Sequence, residues 1–487
     1  MRRRIGQLTC LAIAVLVLAL PSQTFANNNG GAGGNNNGGG GNNNGGNNNG
    51  GNNNNNGNGG NNAAGVRIDA AGVLRVTQNN PMVTMARLRA AKQALPQRLA
   101  KPSKLRKISL NRLEEAVAKS IASGKPLGPE MIALAGLTKL EYVFYYPESQ
   151  DIVLAGPAEG FGQDSVGRIV GVESGKPTLL LEDLVVALRG FAPQDKPTAV
   201  IGVSIDPTKE GLARMQKTLQ QLGSNFRGAG DVPRIVNSLR QSLGLNEVTI
   251  TGIPANTHFA HVLTEADYRM KLIGIGLERP PIPMRSYVDR LTSSMTSNNA
   301  LLRWYFVPDY QAIATSDDGL AMQMVGQGVR LIGEDELVSR DGSRKVSGRA
   351  ANPASRGFTT EFTKKFKMIA TRNPAFGQLK NLIDLSIAAA FIQDRDLYGK
   401  SGWDLGVFGR EDDLSVQNLP APQQVETAIN AVMKGSRLIT PIGGGITIQP
   451  RKALTEENIA EDQKGTIAKQ QQNISVPELA DDQWWWD

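Results

Sequence analysis

The 487-residue chain carries 53 Lys and Arg against 45 Asp and Glu, a formal charge of +8, with one cysteine, Cys10, and two histidines. Three of the arginines fall within the first four residues, so the remainder is too evenly charged to announce a nucleic-acid partner. A lone thiol inside an apolar run excludes disulfides, zinc–thiolate sites and a cysteine nucleophile elsewhere, and stability must then come from a sizeable core.

In chain order, Arg2-Arg3-Arg4, the apolar run Leu8–Leu20 and Thr24-Phe25-Ala26 form the three parts of an export signal over residues 1–26. The run stops at Pro21 and is shorter than the ~20 apolar residues a bilayer span needs. The expectation is therefore a protein cleaved on export, without a transmembrane segment afterwards, placed in the periplasm, on the cell surface or outside the cell. From Asn27 to Asn62 every residue is Asn or Gly except Ala32. Such a stretch has nothing to bury, and residues 27–62 read as a disordered tether with a root-mean-square span of about 30–35 Å.

Order is expected from residue 63. An N-terminal α+β region over 63–190 opens with two short strands, Val66–Asp69 and Gly72–Val76, then a basic helix from Met82 to Leu95. Leu113, Val117 and Ile121 share one face of a helix ended by Gly124, and Pro129–Ala135 gives another helical piece. Tyr142–Tyr146 and Asp151–Ala155 flank a Pro-containing turn as an aromatic hairpin. The clearest unit is a strand, helix, helix, strand, helix series over 191–280. Its first strand, Ala199–Ile205, leads to Asp206-Pro207 as a helix start; the second is Glu247–Ile253, and the last helix runs Thr257–Leu277.

A hairpin plus helical region is expected over 281–450. Arg303–Val307 and Gln311–Thr315 read as a second aromatic hairpin, similar enough to the first to suggest a duplication. Asn373-Pro374 begins an apolar helix through Phe391 that should be central to a core, and a final helix is predicted through Val425, Ile429 and Val432. Gly443-Gly-Gly445 reads as a hairpin turn and not a phosphate loop, since no Gly-Lys-Ser/Thr follows. Residues 451–487 read as a disordered tail. The fold class is mixed α/β or α+β, in two or three sub-domains.

Few residues invite chemistry. His258, His261 and Glu265 fall on one stripe of the Thr257 helix, a spacing that permits three metal ligands. The same stripe borders an apolar face and Glu265 has Arg269 one turn on, so the plainer reading is an ion-paired core helix, with no metal and no cofactor. Asp317-Asp318 and Glu334-Asp335-Glu336 offer paired carboxylates, as do Asp206 and the Glu265/Asp267 neighbourhood, for a hydrolase.

The ends are more distinctive. From Arg87 to Arg112 stand nine Lys or Arg, among them Arg87, Arg89, Lys92, Lys104, Arg106 and Lys107, with no acidic residue, whereas the segment from Arg451 onward holds eight acidic and four basic ones. These ends either attract each other or meet separate partners. Trp484-Trp485-Trp486 has no apolar neighbours in sequence, so it either docks back on the body or inserts into a partner; interaction is the reading adopted, with deletion expected to leave stability unchanged.

Asp151-Ile-Val-Leu-Ala-Gly-Pro-Ala-Glu-Gly160 and Glu265-Ala-Asp-Tyr-Arg-Met-Lys271 resemble segments of a family of secreted bacterial proteins known only as a domain of unknown function, a likeness spanning about Leu105 to Leu397. The resemblance implies a shared fold and export and supplies no catalytic residue, substrate or cofactor. The functional expectation is an exported, non-enzymatic envelope or secreted protein that binds a macromolecular partner, a protein or an anionic envelope polymer. The alternative is an extracellular hydrolase using paired carboxylates. Oligomeric state stays open.

Overall fold

The computed structural model describes residues 16–19 and 65–487, apart from 223–228, 293–299, 310, 339–340, 342–343, 347–351, 431, 435–436, 441–444, 463–464, 474–478 and 481–482. The expected export signal and Asn/Gly tether therefore lie outside the described residues, save for a four-residue strand, Leu16–Ala19. Gly443 and Gly444 fall outside them too.

The fold is mixed α/β, built on a nine-stranded and a seven-stranded sheet. At the centre of the nine-stranded sheet, Ile201–Pro207 pairs antiparallel with Leu245–Thr251, through Val203↔Ile250 and Ile205↔Val248. Between these strands the chain makes the helices Lys209–Leu222 and Val232–Leu243, and afterwards the helix His258–Gly274. The predicted series is thus present. Its first helix starts two residues later than expected, because Pro207 stays in the strand and Thr208 accepts from the Gly211 amide at 2.9 Å as the capping side chain.

Strands from distant segments complete that sheet. Gly445–Ile448 lies against Ile201–Pro207, and Gln424–Glu426 joins Leu245–Thr251 to Val73–Val76. The stretches 63–190, 191–280 and 281–450 consequently interlock in one sheet, over a hydrophobic core that runs from Val66 to Trp485.

The second aromatic hairpin is not formed. Ala300–Pro308 pairs with Val329–Val338 in the nine-stranded sheet, Trp304 opposite Gly333. Ile313–Thr315 instead turns through Ser316-Asp-Asp-Gly319 into Ala321–Met324, which continues the seven-stranded sheet beside Tyr142–Tyr146. Pro308-Asp309 hence ends one sheet and directs the chain into the other, and the resemblance between the two aromatic segments is one of composition. The helix predicted through Val425 is also absent. Val425 sits in a strand, where a β-branched residue suits a buried pleated position. The strands Arg437–Thr440 and Gly445–Ile448 belong to different sheets.

The helix Pro374–Asp394, capped by Asn373 at the Ala375 amide (3.0 Å), is the centre of the core. It packs on Pro353–Arg372, Leu181–Arg189 and His258–Gly274. It is the one described helix long and apolar enough to cross a membrane, and 94% of its apolar window is buried inside the protein. Beside it Phe306, Phe358, Phe362, Phe366 and Phe376 form an edge-to-face cluster with centroids 5.5–6.4 Å apart. Trp304 closes the cluster, donating from its indole nitrogen to Ser355 at 3.0 Å. Gly274 permits this: a Cβ there would meet the Trp304 ring at 2.2 Å.

Candidate functional site

The stripe His258, His261, Glu265 is buried, and the three side chains serve different partners. His258 Nδ1 lies 2.9 Å from both carboxylate oxygens of Asp183. Gln378 places its amide nitrogen 3.3 Å from His258 Nε2, while its amide oxygen accepts from Arg168 Nε at 3.0 Å. The Arg168 contact turns the nitrogen end of the Gln378 amide toward the imidazole, and His258 Nδ1 donates to Asp183. His261 donates from Nε2 to the Pro420 carbonyl at 2.7 Å, and burial lowers its pKa, keeping the ring neutral. Glu265 accepts from Arg269 at 2.7 Å and also pairs with Arg168, and Arg269 continues to Glu278 at 3.0 Å. The three candidate ligands do not converge, and no group of three or more His, Cys, Asp or Glu able to hold a metal occurs among the described residues.

Of the carboxylates named for a hydrolase, Asp206, Asp267, Asp318 and Glu334 are enclosed or engaged, whereas Asp317 is exposed. Asp267 is buried against Lys271 (3.1 Å), whose ammonium also donates to the Ile205 carbonyl at 3.1 Å. Burial pushes the Asp267 carboxyl up to about 6, opposed by Lys271. Asp206 is buried as well. Asp318 accepts from Ser316 and from the Leu320 amide within its turn, and Glu334 accepts from the Tyr305 hydroxyl.

One acid behaves otherwise. Glu182, half-buried in the first turn of Leu181–Arg189, reaches a cavity of about 400 Å³ under the helix Pro81–Ala94, with Phe161, Ile169, Ile132 and Leu95 among its apolar walls. Burial pushes its carboxyl up to about 7, with His258 acting in the opposite sense and Asp183 reinforcing the rise. Nothing in the spacing of the sequence singles out Glu182, Asp183, Arg168 or Gln378, since their partners lie up to 210 positions away.

The basic stretch and the Trp484–Asp487 segment meet. Trp485 and Trp486 form a short antiparallel strand on Ser103–Ser109, opposite Ile108 and Lys107, extending the edge of the seven-stranded sheet. The Ser109 amide donates to the Trp484 carbonyl at 3.0 Å. The guanidinium of Arg98 stands 4.2 Å and that of Arg106 4.6 Å from the centre of the Trp485 ring. Arg106 is fully buried; it donates to Asp487 through Nε (2.7 Å) and Nη2 (3.1 Å), and to the Ala135 carbonyl at 2.7 Å. Lys107 is buried under Trp486, its pKa lowered by burial and raised in part by Asp487.

These contacts correct two expectations. Trp484, Trp485 and Trp486 are only 4%, 7% and 4% exposed, so the indoles belong to the core and do not project toward a partner. The segment past Arg451 is likewise folded where it is described, with helical turns, a strand over Ile459–Glu461 in the sheet and a helix Thr466–Asn473. Large apolar rings held near a sheet edge and two guanidinium groups gain more by docking than by staying in water. Of the named basic residues, Arg106 and Lys107 are consumed by this clasp, while Lys104 stays exposed.

The other half of the basic stretch is the helix Pro81–Ala94, opened by Asn80 as its cap and without one buried residue. Arg87 donates to the Asp164 carbonyl at 2.8 Å, Lys92 pairs with Glu173 at 2.5 Å, and Arg89 is exposed. The same helix exposes Met82 (78%), Met85 (53%) and Val83 (40%).

The last helix of the strand–helix–helix–strand–helix unit carries the ion pairs Glu265–Arg269 and Asp267–Lys271 and is tied to the rest of the protein through Arg168 and Asp183. Residues 203–287 match the model of the family described as Protein of unknown function (DUF1598), and the match coincides with that unit, from Val203 to Tyr287. It contains the Glu265–Lys271 segment, whereas Asp151–Gly160 lies outside it. No curated protein and no solved structure matches the chain.

Proposed function

We propose that the chain is an exported, non-enzymatic protein that docks on an anionic envelope surface through the helix Pro81–Ala94. The observation carrying this reading is that the helix has Arg87, Arg89 and Lys92 but no Asp or Glu, buries none of its residues, and shows three apolar side chains at its start. Exposed apolar groups beside cations suit an interface where lipid or polymer anions meet acyl or sugar surface, each cation near such a surface contributing about 1 kcal/mol at low salt. The export half of the reading rests on residues 1–26.

Co-sedimentation with phosphatidylglycerol vesicles tests the docking. Binding should weaken with added salt, fall in Arg89→Glu, and be absent with phosphatidylcholine alone. Equal binding to both vesicle types would remove the electrostatic basis. Recovery of the chain from the cytosol with Met1 still attached would remove the exported setting.

The hydrolase reading keeps one supporting observation, the raised Glu182 carboxyl at its cavity, which is the property of a general acid. A second carboxyl is needed for that chemistry, and the adjacent Asp183 is turned to His258. Release of reducing sugar from envelope polysaccharide, abolished in Glu182→Gln, would favour this reading over docking alone.

A further inference from the structure

A second cavity, remote in sequence from the docking helix, opens where the helices Pro353–Arg372 and Pro374–Asp394 meet at Asn373. Its volume is about 480 Å³, inside the ~300–1,000 Å³ range of small-molecule sites. Five separate stretches of chain build it: Thr138–Lys139, Lys176–Pro177, Asp309, Val325–Gln327, and the helix–helix corner from Phe366 to Asn381. The corner is held tightly, since a Cβ on Gly377 would meet the Pro177 ring at 2.8 Å and the Ala370 carbonyl at 2.9 Å.

The lining has two characters. Phe366, Ala370, Pro177 and Val325 supply apolar wall, Val325 being 48% exposed, well above a core residue. Around them stand Lys139, Lys176, Lys367 and Lys380 against a single acid, Asp309. Lys380 is paired with the buried Asp384, and Lys139 lies 3.8 Å from Glu141. Lys176 and Lys367 have no carboxylate within ion-pair distance among the described residues. Gln327 adds a buried amide oxygen without a hydrogen-bond partner. An anionic head has no hydrogen to give this oxygen, so Gln327 belongs to the cavity wall and not to the contacts of the head.

We infer that this cavity binds an amphipathic anion, a molecule with a carboxylate or phosphate head and an aliphatic or aromatic body, with Lys176 and Lys367 holding the head and Phe366, Pro177 and Val325 covering the body. Apolar wall alone would take a neutral oil, and lysines alone would take any small anion. Their combination selects a ligand carrying both features.

Calorimetric titration of the full chain tests this with dodecanoate, dodecanol and inorganic phosphate as probes. Dodecanoate should bind at one site, at least roughly tenfold tighter than either of the others, because each of those lacks one recognised feature. In a Lys176→Glu/Lys367→Glu double variant, dodecanoate affinity should fall roughly tenfold or more while dodecanol is unaffected. Val325→Trp, which adds bulk at the cavity wall, should abolish both. All substituted side chains are exposed, and an unchanged thermal melt establishes that the variants are folded. The inference is overturned if dodecanoate does not bind, if the double variant binds it within twofold of the parent, or if phosphate binds as tightly. Vesicle docking through Pro81–Ala94 should be unaltered in these variants, so failure at one site is distinguishable from failure at the other.

Discussion

The basic stretch from Arg87 to Arg112 splits into two halves with opposite fates. Its second half, through Arg98, Arg106 and Lys107, is drawn around the indoles and carboxylate of Trp484–Asp487. Its first half, on the helix Pro81–Ala94, is held only at the surface, by Arg87 on the Asp164 carbonyl and Lys92 on Glu173, and leaves its methionines in solvent. A run of like charge carries little structural information by itself. What decides its role is whether the chain also supplies an apolar surface and a counter-ion that can reach it, and the eight acidic residues past Arg451 with three tryptophans supply both for one half only.

The most severe way to test this contrast is to delete Trp484–Asp487. Truncating one buried Trp costs about 3–5 kcal/mol, and the deletion also leaves the Arg106 charge buried and unpaired, so urea unfolding should show a loss of at least about 5 kcal/mol. An unchanged unfolding curve would return the tail to the role of a partner-seeking segment. Next in size is the internal network of the His258–Gly274 helix. Glu265→Gln leaves Arg168 and Arg269 without their shared counter-charge and should cost about 3–5 kcal/mol by the same measurement. A loss below 1 kcal/mol would mean that Glu278 and Asp164 suffice.

Smaller effects follow from titration, with opposite signs in the two regions. Glu182 has its folded pKa raised to about 7 from an ordinary 4.5, so the folded chain keeps a proton that the unfolded chain releases between those values. Its contribution therefore falls as pH rises from 4.5 to 7, and Glu182→Gln should stabilise the protein at pH 8 and leave it unchanged at pH 4. For Asp487, burial favours the protonated form, but hydrogen bonds from Arg106 and Ser103 and the charges of Arg106 and Lys107 prevail and hold the pKa below 3.8. Its stabilisation is present above 3.8 and lost as pH falls through the lower folded value, so Asp487→Asn should destabilise at pH 7 and converge with the parent in strong acid. Smallest of all, Arg89→Glu on the exposed helix should shift stability by less than about 0.5 kcal/mol while reducing vesicle binding. A large stability change there would show that this half of the stretch is structural as well.

Periodicity and caps made much of the fold legible. The Val203–Gly274 series, the helix over Leu110–Ala122, the Tyr142–Ala158 hairpin and the core helix from Pro374 all announce themselves through local spacing. What failed was pairing over distance. Ala300–Pro308 and Ile313–Thr315 look like the arms of a hairpin, yet each finds a partner elsewhere, and no local pattern records that Val329–Val338 competes for the first arm. Val425 carried helical spacing but was taken into a strand between Leu245–Thr251 and Val73–Val76, a case of tertiary pairing overriding propensity. At the candidate site, Glu265 and Arg269 were visible as a one-turn pair, whereas Asp183, Arg168 and Gln378 reach the same network only through folding. The tryptophans were conspicuous in the sequence, and the error lay in treating a polar neighbourhood as a lack of somewhere to go.

The pairing of Lys107 with Trp486 joins positions more than three quarters of the chain apart, and it has a consequence for biogenesis. The outer backbone groups of the Ser103–Ser109 strand wait for a cover that is synthesised only after all the intervening strands and helices. Through that interval the nascent chain exposes a strand edge to any extended neighbour, a recruiting surface for holding chaperones and a weak point for aggregation when elongation stalls.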